Sequence, residues 1–556
     1  MSPGSRRRSG SGWGWWLLAA FLAWLVGYPL LITGGEALGG SAGWSLDYFG
    51  TFFSRSHEWL ALWRSFWISA LSVFFSALVG VPLGFLFERT DFPGRRILGA
   101  LVALPVALPP LVGVIAFLFL YGESGFVPRA IQLALGLDQA PWRLQGPAAI
   151  LLVHTYSMYV YFYLFTRAAL ARLDGSLLEA AANLGAGRWR TLVRVTLPML
   201  RPALAGAALL TFMTSLASFS APYLFGGSFR VMTTQIVASR LNGDVTMAQV
   251  ETVMLAALAF VALGAMRLLD PGTELAGTVR GVAPSRRRLI SPLARWATAG
   301  AGYVLAVVLL LPHATLLLIS FVPAGTWTVE FLPPILGLEN YGALVSRPDR
   351  LRPLVNSAWM AAAATAGALL LGFAAARGAV ARRGKVGRLL ESLVVLPWAI
   401  PGTVFAVALA TTFSVDAPHL GRFLLVGTPW LLPLAYLLRD LPLTGRSALS
   451  GLRQLDPALE EASAVLGAGR WRTLRRVVLP MVRPALVAGA GLAFITALGD
   501  FVVSIVLYTL DTRPISIEIL SSLRLQDTGL AAAYGVLLML VSGAAFVLWG
   551  RDGGAA

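Results

Sequence analysis

Residues 13–34 read WGWWLLAAFLAWLVGYPLLITG, 22 positions without a charge. A bilayer core takes about 20 such residues as one helix. Within that core only helices and closed barrels satisfy their own backbone hydrogen bonds. Comparable runs follow at about 65–87, 97–121, 147–170, 202–226 and 249–269. A second series lies at about 297–322, 355–376, 389–413, 427–446, 484–509 and 530–550. The expected fold is all-α and integral to a membrane, with about twelve spans, six in each half. Composition agrees: 57% of the 556 residues are hydrophobic and only 13% charged, where a soluble domain carries about 25% charge. The first run follows Arg6, Arg7 and Arg8. It exceeds a signal-peptide core and shows no convincing cleavage site, so an uncleaved first helix is expected.

A net charge of +17 raises the question of nucleic acid. The basic residues answer it by their placement. With the N-terminus in the cytoplasm, 31 of the 44 lysines and arginines fall in cytoplasmic segments. That is the bias the positive-inside rule demands. The charge then sets topology, both termini are cytoplasmic, and no nucleic-acid partner is expected. The chain has no cysteine, which excludes disulfides, zinc thiolates and iron–sulfur clusters.

The chain also repeats itself. Residues 179–204, EAAANLGAGRWRTLVRVTLPMLRPAL, return as EASAVLGAGRWRTLRRVVLPMVRPAL at 461–486, with 21 of 26 positions identical. Around this cassette LDGSLLEAA at Leu173 matches LDPALEEAS at Leu455, and FMTSLASF matches FITALGDF. LPVALP at Leu104 matches LPWAIP at Leu396. RVMTTQI at Arg230 matches RPISIEI at Arg513, shifted by one residue. Such self-similarity implies a duplicated domain. Six spans per half bring both copies in from the same side, as a parallel repeat. The expected division is 1–270 and 297–556, joined by a basic cytoplasmic linker at 271–296.

Each cassette reads as helix, glycine turn, helix. Strong helix formers precede GAG at Gly185–Gly187, RWRTLVRV resumes the helix, and Pro198 and Pro202 mark entry into the next span. A solvated basic loop that pins topology would explain the arginines. It would not explain the recurrence of Trp189 with Trp471, Leu192 with Leu474, and both glycine turns. An apolar stripe led by an acidic residue suits docking into a groove on a partner.

The pattern Glu179-Ala180-Ala181, Gly185, Val195, Leu197-Pro198 resembles the EAA loop of ABC importer permeases. The second copy is Glu461-Ala462-Ser463, Gly467, Val477, Leu479-Pro480, with Ser463 departing from the motif but remaining small. The resemblance covers nearly the whole chain, as two fused type I permease domains. It implies that each short helix is a coupling helix seated on one of two copies of a cytoplasmic ATPase subunit. It further implies a periplasmic or extracellular binding protein that delivers substrate, and a bacterial inner membrane as the setting. ATP and Mg2+ would belong to the ATPase, since this chain has no GxxxxGK[ST] loop and no expected cofactor of its own. Neither a nucleophile constellation nor a close histidine pair occurs among His57, His154, His313 and His419, so no enzyme activity and no resident metal are expected.

Polar groups inside spans are costly and point to function. Asp500 aligns with Ser218 across the repeat, beside the translocation path that the resemblance implies. Thr214 and Thr496 lie one turn earlier, and Arg439 and Asp440 fall within the tenth span. For Arg439 and Asp440 pairing inside the bundle is the plainer reading; for Asp500 the two readings balance. Pro105, Pro109, Pro397 and Pro401 are expected to kink helices, and His154 to be packed or hydrogen-bonded. LYTLDTRPISIEILSSLRL (507–525) and GVPLGFLFERTDFPGRR (80–96) resemble ferric iron permeases. Thiamine is the nearest alternative substrate, then polyamines or phosphonates. The outer loops near 227–248 and 510–529 would receive the binding protein. An ion-coupled secondary transporter also fits parallel six-span halves, but has no use for two such cassettes.

Overall fold

A computed structural model describes residues 13–39, 43–107, 109–269, 286–288, 291–327, 331–382 and 384–553. Arg6–Arg8 and most of the expected linker 271–296 lie outside these residues. The fold is helical. Among the described residues ten helices are long and apolar enough to cross a membrane, and a bent pair, taken as one span, brings the number to eleven. The expected span at 427–446 is the helix Leu431–Gln454, whose arginines and aspartate set it apart from the others in composition.

Matching helices of the two halves have matching lengths. Ser56–Arg89 and Pro348–Ala381 are each 34 residues, about 51 Å, so both outrun a ~30 Å hydrocarbon core. Ser56–Arg89 buries a stripe of small residues, Ser65, Ser69, Ser72, Ser76, Gly80 and Gly84. This stripe lets it approach Gly146–Arg172 closely. A Cβ on Gly84 would stand 2.7 Å from the Cβ of Thr166, and one on Gly80 2.7 Å from that of Phe162. Pro348–Ala381 buries Ala361, Ala364, Ala368, Gly372 and Ala376. There a Cβ on Gly372 would meet Thr444 Oγ1 at 2.7 Å and the backbone nitrogen of Gly445 at 2.8 Å. Without a hydrophobic drive between helices in lipid, such close backbone approach is the main source of packing.

The proline-rich hexapeptides break their spans rather than kink them. Arg95–Ala103 ends in a tight turn at Leu104–Ala107, and a new helix starts at Pro110. In the second half Lys385–Ala399 and Gly402–Thr412 meet at 107°. Pro109 and Pro401 take extended ψ values of 132° and 141° ahead of each new helix. A proline cannot donate the bond that would continue the preceding helix.

The compact units also differ from the sequence halves 1–270 and 297–556. One unit joins the chain up to Trp44 with Arg352–Pro514 and the stretch from Ala544; the other joins Ser45–Leu351 with Ile515–Gly543. Each half thus lends its first span to helices of the other. In the first unit, Trp24 Nε1 donates to Gly421 O at 3.2 Å, and Arg422 pairs with Glu36 at 3.3 Å. The Trp15 ring fills the space beside Gly378. In the second unit, Pro292–Ile319 packs along Gly302, where a Cβ would touch Leu98 at 3.0 Å. Tyr156 there donates to Leu309 O at 2.7 Å.

Candidate functional site: two coupling cassettes and two polar nodes

The cassettes fold alike because the same local rules act twice. Asp174 and Asp456 cap the short helices Gly175–Asn183 and Pro457–Val465, each accepting from the backbone nitrogen two residues on at 2.9 Å. An aspartate at this position satisfies a backbone donor that the first turn leaves free. At the other end Gly185 has φ +73° and Gly467 φ +78°. Ala186 N donates to Ala181 O and Gly185 N to Ala182 O, both at 2.9 Å; Ala468 to Ser463 and Gly467 to Ala464 repeat this at 3.0 Å. This is the Schellman closure, which needs a left-handed residue at its corner. Nothing lies within 4 Å of a Cβ built on either glycine, so backbone angle alone calls for glycine here.

Beyond the turn, Arg188–Leu216 and Arg470–Leu498 enter the span regions. Each opens into a wide π turn, Leu192–Thr196 and Leu474–Val478, just before Leu197-Pro198 and Leu479-Pro480. The amide of Leu197 reaches back to Leu192 O, and that of Leu479 to Leu474 O. The extra residue in the turn relieves the clash and the missing donor that a proline otherwise imposes on a helix.

Both cassettes leave large apolar groups uncovered. Leu184 and Leu466 are 87% and 86% exposed, and Trp189 and Trp471 are 76% and 71% exposed. Glu179, Ala180, Glu461 and Ala462 are exposed too, and neither glutamate is in an ion pair among the described residues. Ala181 is buried. Ser463 at the matching place sits within 2.9 Å of Thr473 Oγ1, a side-chain bridge across the glycine turn. The second cassette has one further tie. Arg377 donates to both oxygens of Glu460 at 2.6 Å, where the first copy has Leu178. Those hydrogen bonds hold the Glu460 carboxyl below the usual glutamate range, against the opposing effect of its partial burial.

Inside the bundles the halves part ways. His154, fully buried, accepts or donates at three serines: Ser72 at 2.9 Å and Ser215 at 3.1 Å from Nδ1, and Ser218 at 2.9 Å from Nε2. Adding 282, the cassette offset, to 154 and 218 gives Tyr436 and Asp500. There Asp500 is ion-paired with Arg439. Its Oδ1 also accepts from the backbone of Val503 at 2.9 Å and Ser504 at 3.3 Å. Tyr436 OH lies 2.6 Å from Ser504 Oγ. The Ser218 and Asp500 positions are brought to equivalent breaks after Leu216 and Leu498. Asp440 is fully buried, and neither of its oxygens has a hydrogen-bond partner among the described residues. Thr496 is exposed and bonds only back to Leu492 O of its own helix at 2.8 Å, while Thr214 bonds Tyr161. The pairing inside the bundle expected of Arg439 and Asp440 is met for Arg439, whose partner is Asp500, and not for Asp440. His154 is hydrogen-bonded, as expected, and the 282-residue offset that aligns Ser218 with Asp500 aligns it with Tyr436. Among the described residues no group of three or more His, Asp or Glu is arranged around a metal position.

Comparison with known proteins accounts for this doubled architecture. The family described as binding-protein-dependent transport system inner membrane component matches at residues 80–275 and again at 368–550. The chain is 32% identical over 485 residues to a probable ABC transporter permease protein, y4fN, of Sinorhizobium fredii, covering 86% of this chain and 85% of that one. It is 29% identical to the ferric transport system permease protein FbpB of Actinobacillus pleuropneumoniae, covering 86% and 69%. It is 27% identical to the thiamine transport system permease protein ThiP of Escherichia coli, covering 87% and 89%. The chain belongs to the binding-protein-dependent transport system inner membrane component family, as two fused copies that make it a multi-pass permease subunit of an ABC importer.

Proposed function

We propose that this permease carries ferric iron, handed over by a binding protein, across a bacterial inner membrane by alternating access. Two copies of a cytoplasmic ATPase drive it, one at each cassette, and both termini lie on the ATPase side. The observation that carries this reading is the doubled cassette itself. Two rigid, Schellman-closed helices present the same uncovered leucine and tryptophan. An exposed apolar pair on a capped helix is poised for a groove in a partner. ATP and Mg2+ act in the ATPase. This chain contributes two stable arrangements whose balance the ATPase shifts through the cassettes. The polar residues Thr214, Ser218, Thr496, Asp500, Arg439 and Asp440 are assigned to the path region, with Arg439 and Asp500 acting first as a tie between helices.

Ferric iron is favoured by the relative named for ferric transport and by the stretches 507–525 and 80–96. Thiamine is the second reading, favoured by the thiamine permease matched over 87% of this chain. Proteoliposomes holding the permease with its ATPase and binding protein distinguish them. ATP-dependent uptake of labelled ferric iron, with thiamine excluded, is the expected result. Thiamine uptake without iron uptake would discard the iron assignment and keep the importer. Uptake driven by an ion gradient with no ATP would discard the ATPase coupling.

A further inference from the structure

Two acidic side chains meet in the unit that contains Ser45–Leu351. Glu58 stands in the first turn of Ser56–Arg89, and Glu251 in the second turn of Val245–Leu269. The 29-residue helix Arg188–Leu216 leads about 44 Å away from the first cassette toward Met232–Leu241 and this pair. Glu58 is 2% exposed and Glu251 0%.

The surroundings supply too few donors. Ser239 donates to Glu251 Oε1 at 2.6 Å, and Gln235 Nε2 to Glu58 Oε1 at 3.4 Å. Gln235 Nε2 lies 3.4 Å from Ser239 Oγ as well, so Glu58, Gln235, Ser239 and Glu251 form one continuous chain of side chains. The remaining oxygens, Oε2 of both acids, are buried without a partner among the described residues. The charged groups on the packed elements do not neutralise the pair. His57, largely exposed, lies 3.2 Å from Glu58 Oε1. Arg55 is paired with Asp244 at 3.5 Å, Arg230 donates to Gln235 Oε1 at 3.3 Å, and Arg64 lies over the Phe229 ring. Arg240 forms no ion pair among the described residues, and Asp47 on the helix Asp47–Ser54 is exposed. The helix Leu197–Leu216 brings no acid, histidine or lysine, and its one arginine, Arg201, is in the turn nearest the cassette.

Two ionised carboxylates buried side by side repel strongly, and the one basic group at the pair, His57, reaches Glu58 Oε1 alone and from an exposed position. Carboxyls that share a site resolve this by holding one proton between them. A metal ion is a poorer fit, because a hard cation takes six or more oxygens and only two here lack partners. The second half supports the same reading. Glu58 and Glu251 correspond to Arg350 and Tyr534, at offsets of 292 and 283. There Tyr534 OH donates to Arg350 O at 2.5 Å. That junction is closed by one hydroxyl hydrogen; the acid pair needs one hydrogen of its own.

We propose that Glu58 and Glu251 form a proton-binding site, one proton held by the pair of buried carboxyls and tying Ser56–Arg89 to Val245–Leu269 at the end remote from the cassette. Loss of that proton leaves two buried negative charges and loosens the junction. The proposal stands apart from any transported substrate.

Infrared difference spectroscopy of the purified permease in a maltoside detergent, which has no ester carbonyl, tests it. Wild type is compared at neutral pH with Glu251→Gln and with Glu58→Gln; glutamine offers its amide hydrogen to the remaining carboxylate, and two variants guard against one failing to fold. The expected result is a carboxylic-acid carbonyl band in wild type that is absent from each variant and shifts in heavy water. Thermal melting should fall as pH rises in wild type and stay level in Glu251→Gln. Superimposable spectra in that region would overturn the proposal. So would a stoichiometric metal ion that co-purifies with wild type and is lost from both variants.

Discussion

The two cassettes are near copies, whereas the two polar nodes at the matched positions 154/436 and 218/500 have diverged. The cassettes keep the same caps, the same left-handed glycines and the same exposed leucine and tryptophan. The nodes exchange a histidine–serine net for an arginine–aspartate pair with a tyrosine beside it. Under the proposed function the cassettes meet two copies of one ATPase, and a surface with that task is held to one shape. The two nodes, one in each compact unit, carry no such constraint and differ in every side chain that forms them.

The largest effect separates the nodes. Arg439→Ala leaves Asp500 buried without its cation and should cost about 3–5 kcal/mol, as breaking a buried pair does. His154→Ala, which leaves serines able to bond one another, should cost about 1–3 kcal/mol. Thermal melting of both variants checks the order, and equal losses would erase the distinction between the ion-paired node and the histidine–serine node.

Next comes the packing both halves share. Gly84→Leu and Gly372→Leu each force a side chain into a helix contact where a Cβ alone would stand 2.7 Å from its neighbour. Each should lower stability by about 1–3 kcal/mol or prevent insertion. A large loss in only one would show that the halves are packed less alike than their small-residue stripes suggest.

Within the cassettes the expected changes are smaller and matched. Gly185→Ala and Gly467→Ala must place a Cβ in the left-handed region, at about 1–2 kcal/mol each. Both should weaken ATPase binding to the same degree, read by pull-down of the ATPase. Unequal losses would break the equivalence of the cassettes.

The smallest effect is the tie found only in the second copy. Glu460→Gln removes a partly exposed ion pair and should cost no more than about 1 kcal/mol. Its pH dependence has a definite sign. The folded carboxyl titrates below its unfolded value, so its contribution is complete above the ordinary glutamate range. It is lost as pH falls through the lower folded value. The melting difference between wild type and Glu460→Gln should therefore shrink on acidification.

Much of this was legible in the sequence. The apolar runs gave the spans, because the bilayer accepts so few backbone solutions. The 26-residue repeat gave the cassettes, whose caps and turns are set by residues within a few positions of one another. What escaped depends on distance along the chain. The exchange of first spans rests on contacts such as Trp24 with Gly421, 397 residues apart, and no local pattern announces it. Asp500 and Arg439 are 61 residues apart, so each was visible as a costly polar group without its partner. The breaks at LPVALP and LPWAIP were marked by proline, but a kink and a full turn of direction share that signal.

One cassette is proposed to seat one ATPase, and native mass spectrometry of the assembled complex measures that directly. Wild type should carry two ATPase copies per permease chain. Leu184→Asp with Trp189→Asp should leave one, and adding Leu466→Asp with Trp471→Asp should leave none, with the permease still folded. Two copies retained by the fourfold variant would contradict the assignment of the cassettes as the coupling surface.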